Sequence, residues 1–261
     1  MNNLILVGNG QWGKNYVNTL RQFSNVNLKI ANRNNWQSLI DQGADGVIIC
    51  TPPDSHIEIA HFSLSRNIPT MIEKPVALSM SEVLSLETYT VPILVNYIHL
   101  FSEAYQLAKQ SIQGPILEIN SIGYNKGPLR TYSSLWDYGS HNIAMILDLI
   151  NKMPTSITAK KEITPHGELF HLSLKFDQIN TLSIIGNGAE TKALKLDIKS
   201  KNHVIYDNKD NSSLQISPLT SALQVFIRAL HGHNDGRLGL YLTKQVTQIL
   251  IECENICNIL I

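Results

Sequence analysis

Apolar residues along this chain follow two different rhythms. Over roughly the first hundred residues they form short continuous runs: Leu4 to Val7, Val26 to Ala31, Gly46 to Cys50, Thr70 to Ile72 and Ile93 to Tyr97. Unbroken apolar runs of this length suit strands whose two faces are both covered. Between them lie helix-patterned stretches, Gln11 to Phe23, Asn35 to Gln42, Ser55 to Asn67 and Met80 to Tyr89. Ser79, with Glu82 three residues on, reads as a helix start, the hydroxyl capping a free N–H of the first turn. Strand and helix in strict alternation predict a parallel sheet built from βαβ units.

The second rhythm begins after a helix over Glu103 to Gln113 and a strand over Leu117 to Tyr124. A strongly apolar helix is expected over Leu135 to Ile150. From Ser156 to Tyr206 apolar and polar residues alternate, as in Leu169-His171-Ser173-Lys175 against their neighbours, Leu182-Ile184 and Leu194-Leu196-Ile198. Period-two patterning predicts an antiparallel sheet with one solvated face. Two helices, Thr220 to Leu230 and Leu238 to Ile256, close the chain. The expected architecture is an α/β domain over residues 1–118 followed by an α+β domain over 119–261 with a mainly antiparallel open sheet. No Pro/Gly/Ser-rich linker separates the halves.

Composition narrows the function classes. The 261 residues are 43% hydrophobic and 16% charged, with a formal net charge of zero. A neutral balance argues against a nucleic-acid or acidic-membrane partner. No run of roughly 18 apolar residues predicts a membrane span. The N-terminus enters a strand directly, without a signal-peptide pattern, so a cytoplasmic location is expected. Three cysteines fit no disulfide framework. Cys50 ends an apolar run, and Cys253 and Cys257 stand one helical turn apart without further ligands nearby. Core packing is expected for all three, and no metal site.

Chemistry enters with Gly8-Asn9-Gly10-Gln11-Trp12-Gly13, directly after the first strand and before a helix. Gly8 permits a tight turn, Gly10 lets backbone approach a pyrophosphate, and Gly13 lets helix pack on strand. The helix N-terminus then offers N–H groups to phosphate. The strand–turn–helix context makes this a dinucleotide-binding signature. The second strand ends in Ala31-Asn32-Arg33-Asn34. An NAD site usually has an acid here for the ribose 2′-OH; none is present. Arg33 could grip the 2′-phosphate of NADP with two parallel bonds, and Asn32 could bond the ribose without repelling phosphate. The alternative is an Arg33 that stacks on adenine with either cofactor. NADP is favoured over NAD.

Thr51-Pro52-Pro53-Asp54-Ser55-His56 follows the third strand, where two prolines stiffen a loop at the sheet edge. Ser55 could cap the next helix, and His56 is either a cofactor contact or an early helix residue. Glu73-Lys74-Pro75 ends the fourth strand. Ligands of such sheets bind beyond the carboxyl ends of the strands, so Lys74 is expected toward the nicotinamide. In Trp136-Asp137-Tyr138-Gly139-Ser140-His141-Asn142, Asp137 and His141 are spaced i and i+4 and share one face if the helix includes both. A carboxylate so placed could orient an imidazole.

These motifs, in this order, resemble the glucose-fructose oxidoreductase / inositol dehydrogenase (Gfo/Idh/MocA) family of NAD(P)-dependent oxidoreductases. The matching pieces are Gly8 to Gly13, Cys50 to His56, Glu73-Lys74-Pro75, Val95 to Tyr105 with Asn96, and Asp137 through His141. The resemblance implies an N-terminal Rossmann domain and a C-terminal domain whose open sheet shapes the substrate site and often an oligomer interface, here a homodimer or tetramer. It implies Lys74, His141 and Asp137 as catalytic residues near the reacting carbon. The cofactor set it implies runs from Gly8 to Gly13, then Asn32, Arg33, Thr51, Pro52, Pro53, His56, Glu73, Lys74 and Asn96. Tyr97, Tyr124, Trp136 and His141 are the substrate candidates; the three aromatics could form sugar-stacking walls or could equally be core. Sugars, nucleotide sugars or polyols are the implied substrates; imine and biliverdin-type reductases, or an inactive dinucleotide-binding regulatory protein, are the alternatives. Where the family often has an Asp three residues after the histidine, this chain has Ala144. Leu100 replaces an Arg, and Glu103 a Pro.

Overall fold

The computed structural model describes residues 1–126, 131–165, 167–187, 191–213 and 216–259. In chain order it opens with β1 (Asn2–Val7), α1 (Gly13–Leu20), β2 (Val26–Ala31), α2 (Trp36–Asp41) and β3 (Gly46–Ile49). Then follow α3 (His56–Leu64), β4 (Thr70–Glu73), α4 (Met80–Ser85) and β5 (Ile93–Asn96). Next come α5 (Glu103–Ser111), β6 (Glu118–Asn125) and α6 (Ser140–Ile150). The remaining strands are β7 (Ser156–Thr164), β8 (Gly167–Phe176), β9 (Ile179–Asn187), β10 (Ala193–Lys199) and β11 (His203–Asp207). Helices α7 (Pro218–Ala229) and α8 (Tyr241–Ile259) end the chain. No helix among the described residues is long and apolar enough to cross a membrane.

Two compact units result, Met1–Tyr97 with Leu219–Lys244, and Ile98–Pro218 with Gln245–Ile261. The sequence pattern suggests a single cut after residue 118, whereas here α7 belongs with the first unit. A Cβ on Gly46 of β3 would come within 3.2 Å of Phe226 and 3.0 Å of Leu230. That close approach of α7 and the residue after it to the parallel sheet has no marker in local periodicity.

In the first unit five parallel strands run in the order β2-β1-β3-β4-β5. Every residue of β3, β4 and β5 is buried, as expected of strands covered on both faces. Edge strand β2 departs from that expectation: only Ala31 is buried. Because all strands are parallel, their carboxyl ends share one edge. The strand order reverses between β1 and β3, the position where such sheets open a crevice for a ligand. Ser79 caps α4 as the sequence predicts, accepting the Glu82 N–H at 3.3 Å while donating to the Glu82 carboxylate at 2.6 Å.

In the second unit six strands run in the order β11-β10-β6-β9-β8-β7. All neighbouring pairs are antiparallel except β6 with β9. Strict alternation sends Ile119 and Ser121 of β6, Leu172 and Leu174 of β8, and Leu196 and Ile198 of β10 to the buried face. Helix α6 lies on that face: a Cβ on Gly123 would strike the Asn142 amide oxygen at 2.5 Å. Below it Ser121 donates to Ser183 at 2.7 Å, and Asn142 donates to Ser121 at 3.0 Å. The opposite face leaves Leu182 and Ile205 about half exposed.

Candidate active site

In the first unit the glycine-rich turn is shaped by close backbone approach. Gly8 has φ +102°, and a Cβ there would lie 2.5 Å from the Cys50 carbonyl oxygen. A Cβ on Gly13 would lie 2.3 Å from the Gly8 carbonyl oxygen. Gly10 has nothing within 4 Å of where a Cβ would project, so open space lies beside its backbone. No side chain caps α1, and uncapped N–H groups of a helix start attract an anionic group. The turn therefore fits a dinucleotide pyrophosphate.

Around this turn the sequence-predicted residues converge on Glu73. Its Oε1 accepts the Trp12 indole N–H at 2.7 Å, the Tyr16 hydroxyl at 2.5 Å and the Asn96 amide at 2.7 Å. The Asn96 amide also donates to the Tyr16 oxygen at 2.8 Å. Glu73 and Asn96 are direct partners across β4 and β5, so strand register brings the two together. Burial, then the charge of Glu73, pushes the Tyr16 phenol well above its ordinary value, which keeps it a donor. The same two causes raise the Cys50 thiol. Tyr16 was not among the sequence candidates. Its signal was its place one helical turn beyond Trp12, on the side of α1 that faces the sheet.

Lys74 follows Glu73 at the carboxyl edge of the sheet and is half-buried. Asn32 and Arg33 are exposed at the end of β2. There the Asn32 carbonyl-type side-chain oxygen accepts the Asn34 N–H at 2.8 Å, and Asn35 accepts the Asn32 N–H at 2.7 Å. This interlocked turn, with no acid in it, holds Arg33 at its tip. Ser55 stands at the start of α3 without capping it; its hydroxyl goes to Thr51 and the Pro52 carbonyl instead, at 2.8 and 2.9 Å. His56 is 1% exposed. Its ring nitrogens lie 3.0 Å from the Pro75 carbonyl and 2.8 Å from the Thr51 carbonyl. It thereby ties the loop carrying Thr51, Pro52 and Pro53 to the segment after Lys74. Burial lowers its pKa despite those carbonyls.

In the second unit Asp137 and His141 are both buried. Leu135–Gly139 forms a π-helical turn that runs into α6. The sequence expectation of one regular α-helix from Leu135 is corrected here: the wider turn changes the angular spacing of Asp137 and His141. Such turns are rare and concentrate at functional sites. Asn125, at the end of β6, donates to Asp137 Oδ2 at 2.9 Å. The His141 ring meets His99 edge-on, with centroids 4.9 Å apart and planes at 86°. Tyr138 lies 6.4 Å away in a similar edge arrangement. Asn125, His99 and Tyr206, whose hydroxyl lies 3.0 Å from His99 Nδ1, all escaped the sequence reading. Asn125 shares the strand face of Gly123 and so points where α6 lies, a signal that parity could have supplied.

Of the three aromatic candidates, Tyr97 and Trp136 take the core alternative. Tyr97 is buried within the first unit and bonded to Thr243, its phenol pushed up by burial. Trp136 is 2% exposed, and its indole N–H is held by Glu254 at 3.1 Å. Both are packed as core and present no open ring face for a sugar. Tyr124 stays partly exposed but, by the parity of β6, stands on the sheet face opposite α6 and His141.

A family model described as an oxidoreductase family with an NAD-binding Rossmann fold matches residues 13–90. No curated protein matches the chain. Among solved structures, one from Magnetospirillum magnetotacticum MS-1 is 26% identical, with TM-score 0.86, covering 97% of this chain and 99% of its own. The scyllo-inositol dehydrogenase of Lactobacillus casei, solved with NAD(H) and scyllo-inositol, is 14% identical with TM-score 0.85, covering 99% and 97%. The biliverdin reductase of Synechocystis sp. PCC 6803, solved with biliverdin and NADP+, is 17% identical with TM-score 0.78, covering 98% and 99%. At these last two identities the likeness is one of fold.

Proposed function

We propose that the chain, whose residues 13–90 match the model of an NAD-binding Rossmann oxidoreductase family, belongs to the Gfo/Idh/MocA oxidoreductases and is an NAD(P)-dependent dehydrogenase or reductase of a sugar, nucleotide-sugar or polyol-like substrate. The observation that carries the reading is the Glu73 junction. One buried carboxylate joins the glycine-rich turn, through Trp12, to the end of the strand that Lys74 follows. A chain that only bound a dinucleotide would have no need of a lysine on that strand end.

When bound, the nicotinamide supplies or takes the hydride. The protein's own task is the accompanying proton. Lys74 and His141 are the proposed acid/base groups: one takes the hydroxyl proton of a carbinol as hydride leaves, and returns it in the reverse direction. Asp137, held by Asn125, is the proposed orienting carboxylate. Asn32 and Arg33 are the proposed contacts of the adenosine ribose. With Arg33 exposed and no acid in that turn, NADP is the preferred cofactor in this reading. The open face of the second sheet, with Leu182 and Ile205, is the proposed oligomer surface.

A panel of inositols, aldoses and nucleotide sugars, offered with NADP and with NAD, tests the activity. Cofactor binding without turnover of any member would favour a dinucleotide-binding regulatory protein instead.

A further inference from the structure

Behind His141 the second unit carries a line of polar aromatic residues. The His99 ring stands edge-on to His141, centroids 4.9 Å apart at 86°. Its Nδ1 lies 3.0 Å from the Tyr206 hydroxyl. Tyr206 is 1% exposed and meets Tyr105 edge-on at 5.5 Å. Tyr105 in turn donates to Asp148 at 2.7 Å, and Asp148 is paired with Lys109 at 2.9 Å. Thus β11 and α5 brace the His99 ring, and His99 stands against His141.

Two imidazoles in this geometry do not titrate independently. The positive edge of one ring meets the π face of the other, which favours a single charge on the pair. A second charge at that separation is opposed by direct repulsion, so the two rings titrate in coupled steps. Among the described residues, Tyr138 meets His141 edge-on from its own helical segment, and Tyr206 on β11 lies against His99 with Tyr105 on α5 behind it; Asp137 stands one turn before His141. Asp148 and Lys109 stand behind Tyr105, and Lys192 lies 6.0 Å over the Tyr138 ring.

We propose that His99 is a positioning residue acting through His141: braced by Tyr206, it fixes the plane of the His141 ring and restricts the pair to one positive charge. With no charge on the pair His141 can accept the hydroxyl proton, and with one charge the pair has a single proton to return. The inference rests on the reading of His141 as an acid/base group, but its test does not require a substrate.

The experiment is an NMR titration of the ¹⁵N-labelled imidazoles in the full chain, comparing wild type, His99→Gln and Tyr206→Phe. In the wild type His141 should titrate in two steps separated by more than about one pH unit, the threshold for strong coupling. In His99→Gln it should titrate in a single step. Tyr206→Phe keeps both rings but frees His99, and should narrow the separation. A His141 curve that superimposes on wild type in His99→Gln overturns the proposal. Should that variant not fold, superposition in Tyr206→Phe overturns it equally. Turnover of His141→Ala is a separate measurement: normal activity there defeats the catalytic reading of His141 while leaving the coupling to be judged by its own curve.

Discussion

Trp12 donates its indole N–H to Glu73 across 61 residues of sequence, at 2.7 Å. The bond fastens the glycine-rich turn to the strand end that carries Lys74. Phe at position 12 would keep the ring and lose the donor. A hydrogen bond to a charged group contributes about 1.5–3 kcal/mol, so Trp12→Phe is expected to lower unfolding free energy by up to that amount and to weaken cofactor binding. Denaturant melts and cofactor titration check it; an unchanged midpoint and unchanged affinity would show that the bond fastens nothing.

Arg33 sits exposed at the tip of a turn that lacks an acid. Arg33→Ala is expected to weaken NADP binding by on the order of 1.5–3 kcal/mol, the loss of charged hydrogen bonds, and to leave NAD binding nearly unchanged. Nicotinamide fluorescence gives both constants. Tighter binding of NAD than of NADP by the wild type would refute the stated preference.

His56 provides a pH signature. Its folded pKa is lowered by burial, so the unfolded chain binds the proton more readily than the folded one. Its contribution to stability is therefore complete above the unfolded value of about 6.5 and is lost as the pH falls toward and through the lowered folded value. Melting temperature should drop more steeply on acidification in wild type than in His56→Asn. Parallel curves for the two proteins would mean that the ring does not gate stability.

The open face of the second sheet exposes Leu182 and Ile205, 54% and 47%, beside Ile122 and Ile184 of β6 and β9, which pair in register. An apolar sheet face of this kind suits a self-complementary twofold interface. Sedimentation should show a dimer or tetramer for wild type and a smaller species for Leu182→Lys. A wild type that stays monomeric at every concentration would end the idea.

How much of this was readable in the residues varies with the physical signal. Glycines at 8 and 13 announced their backbone approaches because no other residue fits them, and buried strands β3 to β5 announced themselves by unbroken apolar runs. Strand β2 has a similar apolar run yet is largely exposed, because a sheet edge is decided by strand order, which local pattern does not encode. The facing of Tyr124 depends on parity relative to Gly123, whose side is fixed only by where α6 lies. The π turn at Leu135–Gly139 has no composition of its own. Tyr16 and His99 belong to clusters closed by distant partners, Glu73 and Tyr206, and long-range pairing leaves no periodic trace.

Lys74 and His141 are proposed to move the proton that accompanies hydride transfer. This role is tested most directly by turnover, with a substrate drawn from the sugar and polyol panel, in wild type, Lys74→Ala, His141→Ala and Asp137→Asn, alongside cofactor affinity for each. Acid/base groups contribute roughly 100-fold or more to rate. At least that loss is expected in both alanine variants, a smaller loss in Asp137→Asn, and cofactor affinities within a few-fold of wild type throughout. Near-normal turnover in both alanine variants would contradict that role.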